Sequence, residues 1–152
     1  MKEPDPEVIK QLLVELRDVS KDKRRAAVMK LGMAGGDQAV RALMITVQNE
    51  YEDLIVRGRA ALMLGKLRDT RAVDPLIRAL DAPGFQTPHN AAEALGKLGD
   101  RRAIEPLLLL AAGNNDRTRE AALKALDRLG YVADSGNQKP DENLLQPECE
   151  AN

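Results

Sequence analysis

Apolar residues recur along this chain at i, i+3, i+4, i+7 and i+8, the period of helices with one buried face. Eight such stretches follow one another. Val8, Ile9, Leu12, Leu13 and Leu16 predict a first helix, and Ala26, Ala27, Val28, Met29 and Leu31 a second, opened by Ser20 as N-cap. Ala39, Val40, Leu43, Met44 and Val47 predict a third, and Leu54, Ala60, Ala61, Leu64 and Leu67 a fourth. Ala72, Val73, Leu76, Ile77 and Leu80 lie on a fifth. Thr87 as N-cap and Pro88 at the first helical position open a sixth. Ala103, Ile104, Leu107 and Leu108 mark a seventh, and Asn115 or Asp116 opens an eighth that ends at Gly130. No strand-length segment alternates with period two, so no sheet is expected.

The stretches repeat as pairs. Ala27, Ala60, Ala91 and Ala122 form one column, and Leu31, Leu64, Leu95 and Leu126 another, stepping by 33, 31 and 31 residues. Ile9, Val40, Val73 and Ile104, with Leu12, Leu43, Leu76 and Leu107, step by 31, 33 and 31. A fixed period of about 20–50 residues marks a stacked repeat protein, in which each unit buries its apolar face against the next. The expectation is an all-α, right-handed α-solenoid of four helix pairs, over about residues 6–34, 36–67, 69–98 and 100–130. In each pair the first helix is called A and the second B.

The punctuation agrees with that register. Asp37, Asp69 and Asp100 stand where anionic caps meet the unpaired N–H groups at the start of A helices. Gly32, Gly65, Gly96 and Gly130 stand near B-helix ends, as left-handed caps. Pro75 and Pro106 recur at one place in two A helices, where a proline would remove a hydrogen bond and bend the helix.

The segment from Val56 to Leu76, with Ala60-Ala61-Leu62-Met63-Leu64-Gly65-Lys66-Leu67 and Ala72-Val73-Asp74-Pro75-Leu76, resembles the HEAT-like repeat of the phycobilisome-lyase type. The core Ala-Leu-Gly-Lys-Leu-Gly-Asp-Arg-Arg-Ala-Ile-Glu-Pro-Leu returns at residues 94–107, and the resemblance covers about residues 6–130. It implies an armadillo/HEAT-type superhelix. It also implies one of two functions: a protein-binding scaffold, or a bilin lyase that attaches or detaches open-chain tetrapyrroles on light-harvesting proteins. A bilin is the cofactor only under the second.

Composition narrows the chemistry. There is no Trp, one Phe and two Tyr, so the core is aliphatic and no base-stacking platform for nucleic acid can be assembled. The formal charge of −1 is uneven: residues 131–152 hold one lysine against five carboxylates, net −4, which leaves +3 for residues 1–130. That excess is too small to argue for nucleic acid. The last segment, with two prolines and a lone Leu144-Leu145 pair, is expected to be a disordered acidic tail. The start of the chain has no apolar signal region, and no apolar run approaches the roughly 18 residues of a membrane span, so a cytoplasmic protein is expected. The single cysteine, Cys149, allows no internal disulfide, and its C-terminal neighbours lack the aliphatic residues of a prenylation box.

Catalytic constellations are not found. His89 is the sole histidine and is followed by Asn90, so the His-Glu pairs of HEAT-repeat hydroxylases are missing, and no metal site is expected. The sequence's candidates are for binding. Arg24, Arg57 and Arg119 share a repeat column at the start of B helices, with Arg59 beside it. They form either a basic rail for an acidic partner or a brace on the carbonyl end of the preceding A helix. Phe85, in a long loop, either covers the core or serves as an aromatic anchor. The expected partner-binding set is Arg57, Arg59, Phe85, His89 and Arg119, on a concave B-helix face. The expected partner is another protein, one with an acidic surface.

Overall fold

The computed structural model describes residues 3–132; the acidic segment and Cys149 lie outside the described residues. The A helices are α1 (Pro6–Glu15), α3 (Asp37–Gln48), α5 (Val73–Ala79) and α7 (Ile104–Ala111). The B helices are α2 (Lys21–Ala34), α4 (Leu54–Leu67), α6 (Gln86–Leu98) and α8 (Asp116–Arg128). Short 3-10 turns, Thr70–Ala72 and Arg101–Ala103, lead into α5 and α7. No strand occurs among the described residues. The arrangement is an all-α HEAT-type solenoid.

Each B helix packs on the next, α2 on α4, α4 on α6 and α6 on α8, while the A helices touch one another less. All four apolar columns enter the shared core. Ala27, Ala60, Ala91 and Ala122 and Leu31, Leu64 and Leu95 are fully buried, and only Ile104, at the end of its column, is half-buried. Small and branched residues suit this core because alanine lets helix axes approach while leucine fills the gaps between pairs.

The close B–B approach explains the glycine column, which does not cap helices. Gly32, Gly65 and Gly96 lie inside α2, α4 and α6. A Cβ on Gly65 would stand 2.8 Å from both the Cα and the Cβ of Ala94, and one on Gly96 would stand 3.0 Å from the Cα of Ala125. On Gly32 it would overlap the side chain of Met63. The left-handed turns fall three residues later, at Gly35, Arg68 and Gly99, and at Gly130 after α8.

Three further expectations change. Thr87 is not an N-cap: α6 begins at Gln86 with Phe85 in the cap position, and Thr87 is buried with its hydroxyl 3.4 Å from the Leu54 carbonyl. Asp37 is the first residue of α3, and Gly36 precedes it as cap; Asp69 and Asp100 do cap, but they cap the 3-10 turns. Pro75 and Pro106 are the third residues of α5 and α7, in the first turn, where the N–H has no intrahelical partner in any case. The prolines therefore start helices instead of bending them.

Candidate functional site

The arginine column divides according to what each B-helix start faces. The N-terminus of α4 abuts the C-terminus of α3, whose last carbonyls have no helical partner. Arg57 fills that gap: it is 5 % exposed and its Nε donates to the Val47 carbonyl at 3.2 Å. Arg24 does the same for α1, donating to the Asp18 and Val19 carbonyls at 2.8 and 3.0 Å and pairing with Glu52 at 3.1 Å. Arg57 is thus withdrawn from any partner, contrary to the expectation that it lines a binding surface. Arg119 follows neither course. It is exposed and pairs with Asp116 of its own helix, so it does not brace α7.

The other candidates lie at the surface. Arg59 is half-buried on α4, with no hydrogen bond or ion pair to another described residue. Phe85 does not tuck over the core: it is 43 % exposed, and the Arg117 guanidinium sits 4.9 Å from its ring centre. His89, one turn along, places Nδ1 3.3 Å from the Arg117 carbonyl. The structure therefore gathers Phe85, His89 and Arg117 where α6 and α8 begin.

His89 also lines a groove of about 280 Å³ between α6 and α8, with Glu93 on one wall and Glu120, Lys124 and Arg128 on the other. The groove belongs to a longer B-helix face. Its rows follow the repeat: Arg59, Asn90 and Ala121; then Met29, Leu62, Glu93 and Lys124; then Met33, Lys66, Lys97 and Arg128. Across that face Lys97 pairs with Glu93 at 3.5 Å and Lys124 with Glu120 at 3.1 Å, both one helical turn apart. Lys66 and Arg128 enter no ion pair among the described residues. One cation per repeat therefore stands at the same edge of α4, α6 and α8. Sequence reasoning missed this row. Its signal was the step of 31 residues from Lys66 to Lys97 to Arg128, the same step as the leucine column.

The anionic groups are occupied elsewhere, on the edge where repeats join. Asp53 caps α4, accepting from the Val56 N–H at 3.1 Å, and receives Nε and a terminal amine of Arg25 from α2 at 2.8 and 2.9 Å. The Arg25 guanidinium holds the Asp53 carboxyl down at about 2. Arg71 binds both Asp69 (2.8 Å) and Asp37 (2.6 Å), which lowers both carboxyls. Arg102 bridges Asp100 (2.8 Å) and Asp74 (3.5 Å) in the next repeat. These pairs join successive repeats and leave few free carboxylates to neutralise the B-helix face. Among the described residues no group of three His, Cys, Asp or Glu side chains could hold a metal ion, and no helix is long and apolar enough to cross a membrane.

Comparison with known proteins agrees with this architecture. The family of HEAT repeats matches residues 9–86 and 48–127. The structure is similar to the complex of CpcE and CpcF of phycocyanin lyase from Nostoc sp. PCC7120, with TM-score 0.70 and 28% identity over 80% of this chain and 53% of that one. It is similar to human deoxyhypusine hydroxylase in complex with glycerol, with TM-score 0.70 and 27% identity over 87% of this chain and 46% of that one. An engineered protein shares the fold, with TM-score 0.60 and 18% identity over 80% of this chain and 62% of that one. No curated protein matches the sequence. The chain spans about half the length of the first two solved structures.

Proposed function

The chain belongs to the HEAT-repeat family, and from that premise we propose that it is a non-enzymatic scaffold that binds an acidic partner protein on its B-helix face. The observation that carries this reading is the row Lys66, Lys97 and Arg128, one cation on each of three adjoining helices, with Arg59 beside it. The arginines at the helix starts are spent on carbonyls and carboxylates of the fold. The row is not, and so it is available to a partner. Exposed cations of this kind steer association and set specificity more than they add affinity. Binding should therefore weaken as salt rises, because the Debye length falls from about 10 Å at 0.1 M to about 3 Å at 1 M.

The test is binding of fluorescein-labelled polyglutamate to the full chain, followed by anisotropy over a salt series. Replacing Lys66, Lys97 and Arg128 by Glu should abolish binding while circular dichroism stays unchanged. Binding that ignores both the substitutions and salt would sink the proposal.

The similarity to the phycocyanin lyase complex favours a second reading, in which the same cations receive the carboxylates of a bilin. Mixing the protein with a phycobilin and recording a bound, red-shifted absorbance separates that reading from the first.

A further inference from the structure

The spacing of the cationic row says what shape of acidic segment fits it, an inference that rests on the acidic-partner reading above. Lys66, Lys97 and Arg128 each follow a packing position by one or three residues: Gly65 and Gly96 are the points of closest approach to the next helix, and Ala125 receives Gly96. A hypothetical Cβ at 2.8–3.0 Å from the neighbouring backbone means that α4, α6 and α8 pack at the short end of the helix–helix range. Axes packed this way lie about 8–10 Å apart, so the three cations recur at about that interval in a line across the helices.

Among regular backbones, one repeats its side chains at that interval without any other demand on this surface. A polyproline II helix has three residues per turn and a rise of about 3.1 Å, so every third side chain returns to the same face after roughly 9 Å. A β-strand repeats a face at about 6.6 Å and then about 13 Å, which straddles the interval. It also needs backbone partners, and the mid-helix surface of α4, α6 and α8 offers no unpaired N–H or C=O groups. An α-helix laid across the row would match only at its seventh residue, about 10.5 Å on, and would need an apolar stripe beneath it. Between Lys97 and Arg128 the face carries Asn90, Glu93, Ala121 and Lys124, which supply none. Polyproline II leaves its backbone solvated and requires only contacts along one edge.

We propose that the occupant of the B-helix face is a polyproline II segment of a partner protein, bearing a carboxylate at every third residue and running across α4, α6 and α8. Glu93 is the internal stand-in at the middle repeat: it holds Lys97 at 3.5 Å and yields it to the incoming carboxylate.

The experiment compares two proline-rich peptides of identical composition and net charge, one with Glu at every third position and one with its Glu residues in a block. Both are titrated against the full chain at low salt. The periodic peptide should bind at least fivefold more tightly, and Lys97→Gln should erase most of that preference. Glu93→Gln should raise the affinity of the periodic peptide. Circular dichroism of each variant excludes a folding defect, and Lys124→Gln, off the row, serves as a control that keeps the preference. Equal affinity for the two peptides would overturn the spacing inference while leaving the acidic-partner reading standing. Binding of neither, with or without residues 133–152, would overturn both. Binding of both only after residues 133–152 are removed would make this chain's own acidic segment the occupant, and would overturn the proposal.

Discussion

Replacing Gly65 by Ala tests the close approach on which the B layer depends. In a solvent-facing helix interior this change stabilises by roughly 0.8–1 kcal/mol, because glycine is the poorer helix former. Here the new methyl would stand 2.8 Å from the Cα and Cβ of Ala94. Ordinary carbon–carbon contact is about 3.5–4.0 Å, so the helices must part by close to 1 Å or bend. Neither contact is the free end of a side chain, so rotation offers no escape. Overpacking of this kind costs about 1–3 kcal/mol. Taken at its upper part and set against the propensity gain, it leaves an expected net loss of about 1–2 kcal/mol. Gly96→Ala should lose less, because its Cβ would stand 3.0 Å and 3.2 Å from the Cα and Cβ of Ala125. Urea denaturation of both variants measures the order. Ala94→Gly should itself destabilise by about 0.5–1 kcal/mol, yet restore stability in the Gly65→Ala background, a favourable coupling between the two sites. A Gly65→Ala protein more stable than the parent, or additive effects in the double variant, would refute the packing account.

Leu95, fully buried, should cost about 2–5 kcal/mol when replaced by Ala, and Leu64 the same, since both fill equivalent places in the core; chemical denaturation reads this. Arg57→Gln should lower stability by about 1–3 kcal/mol by leaving the Val47 carbonyl unpaired, and should leave polyglutamate affinity per folded molecule unchanged, whereas Arg59→Glu should do the reverse. The Asp53 carboxyl, held at about 2 by Arg25 against an ordinary 3.8, is a folded-state pKa lowered from its unfolded value. Its contribution is therefore full above about pH 4 and lost as pH falls toward 2. With solvent screening that is roughly 1–2 kcal/mol, and Asp53→Asn should flatten this part of the stability–pH curve measured by thermal melts.

The repeat was legible in the sequence because it is made of apolar columns. Burial is periodic, and Ala27 to Ala122 and Leu31 to Leu126 carry the 31- and 33-residue step openly. Helix identity, order and pairing follow from that period and from local caps such as Ser20 and Asn115, which act within one turn of the chain. The role of a residue whose partner lies in another repeat was not legible. Gly65 is an ordinary cap candidate until Ala94 is set against it, and the left-handed position falls instead on Arg68. Arg57 and Arg119 occupy one column in the sequence. One is buried on the end of α3 and the other is exposed on its own helix, because only the first meets free carbonyls at that distance. Lys66, Lys97 and Arg128 become a surface only when the B helices are stacked in register. Local propensity and periodicity are properties of the chain. Which cation is spent on the fold and which is left for a partner is decided by distances between helices, and those exist only once the repeats have packed.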